Sequence, residues 1–323
     1  MRCLSFLVRY TVCCADRLCC HPDEVQHDAC STHDIQYVRG DGLVPWRRGS
    51  DTENTCRCQL QHSRRHDPGN RRRTCASQRA GRPDEDAHTY EPTPDDAKAL
   101  LNAKIIIKNG LGFEPWLDRL VSSTETPGAI VTASKGVAAH TMEEDGETIP
   151  DPHAWHNLTN AKLYVNNITQ ALIKADPADE AYYNRNLAAY LKKLDRLQAE
   201  AITELGNLPA GNRRIVTSHD AFGYLGQAYG IDFMAPQGLS TEREPSAAEV
   251  ASLIRQIRAD KVRAVFMENI KDSRLLQQIA DESGAQIGGT LYSDALASEG
   301  PASTFLGLFE YNLTTLHNAL STP

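Results

Sequence analysis

Short apolar strands alternate with amphipathic helices over residues 93–320 of the 323-residue chain. The predicted strands are 105–107, 129–133, 214–217, 232–235, 264–267 and 286–291. The predicted helices are 93–103, 114–122, 159–174, 179–205, 246–260, 273–283, 302–320 and one that begins at Asp220. Because helices separate the strands, the pattern predicts an α/β fold whose parallel sheets are covered on both faces.

The helix predicted at 179–205 is the longest of the set. Its apolar face is formed by residues that recur at intervals of three and four, namely Tyr183, Leu187, Tyr190, Leu194 and Leu197. At 1.5 Å per residue this helix spans about 40 Å, which is enough to join two lobes. The predicted architecture is therefore two parallel-sheet lobes joined by a long rigid helix.

The first 80 residues have a different composition from the rest. All nine cysteines precede residue 76, while the first lysine is Lys98. One interpretation is a zinc module that uses Cys56, Cys58, His62 and His66. The segment has no C-x2-C pair, and an odd cysteine count does not fit a closed disulfide framework. We instead interpret residues 1–80 as a disordered or non-native leader, such as an out-of-frame start, in which no signal peptide is legible.

These patterns divide the chain into four predicted parts. Residues 1–80 are the leader, 81–178 an N-terminal lobe, 179–206 the linking helix and 207–323 a C-terminal lobe. The N-terminal lobe is predicted to be incomplete, because only two clear strands precede the linking helix and a covered parallel sheet usually has about four.

Charge and hydropathy restrict the partners of the chain. The formal net charge of −8 argues against a nucleic-acid-binding protein, which needs basic residues to follow the phosphates. No segment reaches the roughly 18 to 20 apolar residues that a membrane-spanning helix needs. The acidic balance favours small ligands and cations as partners.

Three histidines and one aspartate occupy corresponding loop positions. His88 and His153 each precede a predicted helix, while His219 and Asp294 follow predicted strands. Each alone is more often a hydrogen-bonded loop residue or a helix cap. Loops at the carboxyl ends of parallel strands meet in one crevice, however, and three imidazoles with one carboxylate form a tetrahedral shell that suits zinc.

Four motifs contain these positions, and a fifth lies between the third and the last of them. They are DAHTYEP at 86–92, DPHAW at 151–155, SHDAFGY at 218–224, GLST with EPS at 238–246, and LYSDAL at 291–296. Residues 81–323 therefore resemble the substrate-binding proteins of zinc/manganese ABC transporters. The resemblance implies a two-lobed receptor, an extracytoplasmic location, a membrane permease as partner and metal binding by His88, His153, His219 and Asp294. It also implies an opening β-α unit, which is not legible here.

The third motif bears on the choice of metal. Manganese-binding members of that family tend to have a carboxylate where this chain has His219, and manganese prefers harder oxygen ligands. We therefore expect Zn²⁺ as the transported ligand, with Mn²⁺ as the alternative, bound by a monomer. Glu268 is a candidate to orient a ligating imidazole.

Two other classes of protein share parts of this sequence pattern. A zinc hydrolase also uses histidine ligands, but catalytic zinc keeps a position open for water, and the H-E-x-x-H, G-x-S-x-G and P-loop motifs are absent from the sequence. A surface adhesin would share the fold. His140, in an acidic segment at 136–150, and His156 are expected to be surface residues, with an auxiliary ligand as the alternative role for His156.

Overall fold

A computed structural model describes residues 11–19, 74–79, 83–144, 146–238, 241 and 243–321. The cysteines and histidines of the alternative zinc module, and most of the predicted leader, lie outside these residues. The strands are β1 (Thr11–Cys19), β2 (Thr74–Arg79), β3 (Ala103–Lys108), β4 (Ala129–Thr132), β5 (Thr141–Glu144), β6 (Glu147–Pro150), β7 (Arg214–Val216), β8 (Asp232–Met234), β9 (Ala264–Glu268) and β10 (Gln286–Leu291). The helices are α1 (Pro94–Leu101), α2 (Pro115–Thr124), α3 (Leu158–Ala175), α4 (Glu180–Gly206), α5 (Gly223–Tyr229), α6 (Ala247–Ala259), α7 (Arg274–Ser283) and α8 (Phe305–Leu320).

The first sheet has the strand order β2-β1-β3-β4. β3 and β4 are parallel, as the alternation of strands and helices predicts. β1 pairs antiparallel with both β2 and β3, which differs from the predicted all-parallel sheet. Both extra strands come from the segment that we interpreted as a leader. Their sequences lack a strand pattern, and it is backbone pairing that makes them part of the sheet, β1 with β3 and β2 with β1.

Local sequence explains how the first helix begins. Thr93 precedes α1 and forms a capping box with Asp96, in which each side chain accepts a hydrogen bond from the other residue's backbone N–H. Pro94 occupies the first turn, where its missing N–H costs nothing. The first sheet is then covered by helices whose apolar faces include Leu100, Trp116 and Val165. The segment that carries His88 leads directly into α1.

The acidic segment at 136–150 is more ordered than a simple surface loop. β5 and β6 pair antiparallel within it and form a two-stranded sheet. Tyr224 of α5 contacts this segment, because its hydroxyl accepts a hydrogen bond from the backbone N–H of His140 at 2.9 Å. The strand pair leads directly into the segment that carries His153.

The second sheet has the order β10-β9-β7-β8, and all its neighbouring strands are parallel. This confirms the α/β prediction for the C-terminal part of the chain. Its core contains Val216, Val265 and Phe266, which are fully buried. The carboxyl ends of β7, β9 and β10 lie at one edge of the sheet, where parallel sheets place ligand-binding loops.

The 27-residue helix α4 confirms the predicted long helix. Its apolar residues are buried as the periodicity predicts, and it packs against α3 from the first lobe and α8 from the second. We use "lobe" for the elements packed around each sheet; the residue boundaries 81–178, 179–206 and 207–323 stay a prediction. None of the helices in the described part of the chain has the length and apolar character to cross a bilayer.

Candidate metal centre

The structure brings all four predicted ligands into one buried cluster. His88, His153, His219 and Asp294 each offer a donor atom, and these atoms lie within 4.8 Å of one another. The Asp294 carboxylate lies 3.1 Å from Nε2 of His219, 3.4 Å from Nε2 of His88 and 3.5 Å from Nε2 of His153. Three ring nitrogens and one carboxylate therefore offer four donor atoms that are close enough together for one divalent cation to bind them all.

The loops that carry these residues come from both sheets. His219 follows β7 and Asp294 follows β10, so the second sheet delivers both side chains at the carboxyl ends of its strands. His153 follows β6 and His88 precedes α1, so the first lobe supplies the other two. The cluster therefore lies between the lobes, and a bound ion would contact residues from both.

A carboxylate holds the imidazole of His153 in place. Oδ1 of Asp151 accepts hydrogen bonds from the backbone N–H of His153 at 2.9 Å and from its Nδ1 at 2.8 Å. This contact keeps the proton on Nδ1, because an ionised carboxylate can only accept a hydrogen bond. The Nε2 lone pair is then free to point towards Asp294.

Glu268 has the same role for His219. Its Oε1 accepts hydrogen bonds from the backbone N–H groups of Ser218 at 2.8 Å and His219 at 3.0 Å. Its Oε2 lies 2.7 Å from Nδ1 of His219, a close ion-pair contact without ideal hydrogen-bond alignment. Two bare lone pairs would repel each other at this distance, so we assign the proton to Nδ1. Glu268 therefore lies where it could orient the His219 imidazole, and that role stays a prediction.

Burial and charge shift the pKa values of the cluster in opposite directions. Burial lowers the pKa of His88. Burial acts in the same sense on His219, but the carboxylates of Glu268 and Asp294 outweigh it and raise the pKa of His219 well above its ordinary value of 6.5. Burial would raise the pKa of Asp294, yet His219 and His153 hold it well below 3.8. Without a cation, the cluster therefore keeps a proton on His219 beside the ionised carboxylate of Asp294.

The expectation that His156 lies at the surface is wrong. The side chain is fully buried, with its ring centroid 4.7 Å from that of Phe222. Burial lowers the pKa of His156 to about 3, so the ring is neutral at physiological pH. It does not belong to the four-residue cluster. His140 is also outside the cluster. Its ring stacks on that of Tyr224, with the ring centroids 3.9 Å apart.

The two-sheet fold, the long helix and the donor cluster together fit a two-lobed protein that binds a metal ion. Residues 81–319 match the family model described as zinc-uptake complex component A, periplasmic. The chain belongs to this family, whose members are solute-binding proteins and not enzymes. The hydrolase alternative is thereby excluded.

Three related proteins align with about three quarters of this chain. The iron-binding protein YfeA of Yersinia pestis is 35% identical over 238 residues, which are 73% of this chain and 76% of that protein. The manganese ABC transporter substrate-binding lipoprotein PsaA of Streptococcus pneumoniae is 32% identical over 245 residues, covering 73% and 79%. A solved structure of the periplasmic zinc binding protein TroA from Treponema pallidum superimposes with a TM-score of 0.70 at 30% identity, covering 74% of this chain and 89% of that one. The names of these relatives refer to three different metals.

Proposed function

We propose that the protein captures one Zn²⁺ ion through His88, His153, His219 and Asp294 and delivers it to an ABC permease. The observation that carries this proposal is the convergence of four donor atoms within 4.8 Å in a site that is almost completely buried. Three nitrogen donors and one oxygen donor match the tetrahedral shell that zinc adopts in proteins. The ion is cargo, so the site must both bind it and release it.

The donor set favours zinc over manganese. Manganese prefers oxygen-rich shells, whereas imidazole suits zinc. The other buried carboxylates of the site, those of Asp151 and Glu268, already contact Nδ1 of His153 and His219. They therefore offset the charge of the bound ion from behind the imidazoles and add no oxygen ligand.

Competitive titration tests this assignment. Metal-depleted protein should bind one equivalent of Zn²⁺, and Zn²⁺ should displace bound Mn²⁺ at equal concentration. Fe²⁺ under anaerobic conditions is the third arm of the experiment. Equal or tighter binding of Mn²⁺ or Fe²⁺ would overturn the zinc assignment, and the absence of any stoichiometric binding would overturn the site itself.

Zinc binding should release about one proton at pH 7. The pKa of His219 is raised well above 6.5, so this ring is protonated in the metal-free protein and must lose that proton to bind the ion. The affinity should consequently fall about tenfold for each pH unit below the pKa of His219, and the proton release should disappear above it. Titration calorimetry at pH 7 in two buffers with different ionisation enthalpies measures the number of protons released. Zero release would contradict the prediction.

We also propose that the protein acts as an extracytoplasmic monomer. The periplasmic family description and the lipoprotein names of the relatives support this location. One chain supplies all four donor residues, so the site is complete without a second copy. Light scattering of the zinc-loaded protein tests the monomer, and a stable dimer would contradict it.

A further inference from the structure

The segment that carries His88 is tied to the second lobe. We call residues 84–88 the strap. At its start, the carboxylate of Asp84 accepts hydrogen bonds from Nδ2 of Asn269 at 2.9 Å and from the backbone N–H of Ser298 at 3.2 Å. The backbone N–H of Asp84 donates to the carbonyl of Leu296 at 3.2 Å. These partners follow β9 and β10, so the strap crosses from the first lobe to the second.

Asp86 makes the most protected of these contacts. Its Oδ2 accepts a hydrogen bond from Oγ1 of Thr241 at 2.6 Å and lies 3.4 Å from Nζ of Lys271. Nζ of Lys271 also donates to the carbonyl of Thr241 at 2.7 Å. The side chains of Asp86 and Lys271 are only 11% and 17% exposed. An ion pair that is this well shielded is weakened little by salt and is costly to break on one side.

The same carboxylate also contacts the backbone of a proposed ligand. Oδ1 of Asp86 accepts a hydrogen bond from the backbone N–H of His88 at 2.9 Å. Lys271 and Thr241 on one side and the His88 backbone on the other are therefore connected through a single carboxylate. A movement of the second lobe away from Asp86 would be transmitted directly to His88.

Among the four proposed ligands, His88 is the one whose position depends most on contacts of its backbone. Among the described residues, no carboxylate contacts its ring in the way that Asp151 and Glu268 contact the other two imidazoles. Its side chain keeps 9% exposure, whereas those of His153, His219 and Asp294 are fully buried. His88 therefore lies at the rim of the cluster, where a cation would enter and leave.

We infer that Asp86, Thr241 and Lys271 form a latch that positions His88 and sets the rate at which the ion leaves. This inference rests on the proposed function, because it assumes that His88 is a ligand. While the latch is closed, the strap holds the His88 ring over the cluster. Opening it requires Asp86 and Lys271 to separate, and His88 is then the first ligand free to leave. The latch residues are positioning residues, since they act through the His88 backbone.

Zinc dissociation from latch variants tests the inference. Zn²⁺ should dissociate about tenfold faster from Lys271→Gln and Asp86→Asn than from the wild type, because each variant loses one side of the partly buried ion pair between these two residues. The association rate should stay within about twofold, since the entry path keeps its ligands. Stopped-flow mixing of zinc-loaded protein with excess chelator measures dissociation. Lys271→Arg keeps the positive charge beside Asp86 and should therefore retain slow zinc release. Lys192→Gln, on the exposed face of α4, is the control for the change in net charge.

Two further measurements keep the result unambiguous. Thr241→Val removes only the hydroxyl that donates to Asp86, so it carries the test if Asp86→Asn does not fold. Co²⁺ bound to Lys271→Gln should show weaker visible absorption than the wild type, because a loosened His88 changes the coordination. If the wild type binds no zinc, the proposed function is wrong. If the wild type binds zinc and Lys271→Gln and Thr241→Val release it at the wild-type rate, the latch is wrong and the proposed function stands.

Discussion

Replacing His219 with alanine should weaken zinc binding by about a hundredfold to a thousandfold. Apparent zinc binding energies of about 10 to 16 kcal/mol in four-ligand sites correspond to roughly 2.5 to 4 kcal/mol for each ligand. Each 1.4 kcal/mol changes the affinity about tenfold. Nε2 of His219 is also the ring nitrogen nearest to the Asp294 carboxylate, at 3.1 Å, so the variant loses the closest polar contact of that carboxylate within the cluster. Competition with a chelator of known affinity measures the change.

The matched control is His317→Ala. His317 lies on α8, where its Nδ1 is 3.3 Å from the carbonyl of Glu204 and outside the cluster. This variant should bind zinc as the wild type does, whereas His88→Ala and His153→Ala should weaken binding together with His219→Ala. Because His219→Ala also leaves Glu268 buried without its imidazole, its folded state should be checked by circular dichroism. Wild-type affinity in all three ligand variants would refute the site.

Much of the fold was predictable because strand and helix patterns are local. The strand predicted at 286–291 coincides with β10, and the helix predicted at 179–205 differs from α4 by one residue at each end. The hairpin of β5 and β6 was missed because its strands contain acidic residues with low β-propensity. β1 and β2 were missed for a different reason, since the strand character of β1 depends on pairing with β3 and that of β2 on pairing with β1.

The part of the site that was predictable is the part whose loop positions follow from the fold topology. Parallel strands end at one edge of a sheet, so the loop positions of His219 and Asp294 were enough to expect them together. The strap was not predictable in this way. Asp86 and Thr241 are 155 positions apart, and nothing in either local sequence indicates that they meet. His156 was misplaced because a histidine near a ligand motif has no pattern that distinguishes a buried ring from an exposed one.

The second large effect should come from a residue that does not touch the ion. Replacing Glu268 with glutamine should lower zinc affinity by about 10- to 100-fold, the range typical of groups that orient a ligating histidine. The glutamine oxygen can still accept the N–H groups of Ser218 and His219, which Oε1 accepts in the wild type. Its amide NH₂ would then face Nδ1 of His219, where Oε2 now lies at 2.7 Å.

An NH₂ group can only donate, so Nδ1 would have to accept the hydrogen bond, and the ring proton would move to Nε2. Nε2 is the atom that faces Asp294, and once protonated it has no lone pair for a cation. The carboxylate that helps to raise the pKa of His219 would be lost as well, so proton release on zinc binding at pH 7 should decrease. A general loss of structure would also remove the contacts that raise the pKa of His219, so circular dichroism of the variant is needed to separate it from the tautomer effect.

Chelator competition and two-buffer calorimetry on the Glu268→Gln variant measure both quantities. Glu310→Gln is the control, because Glu310 is exposed on α8 and its replacement changes the net charge by the same amount. That variant should match the wild type in affinity and in proton release. If Glu268→Gln also binds zinc with wild-type affinity and releases the same number of protons, Glu268 does not set the protonation of His219, and the orientation of that ring must come from packing alone.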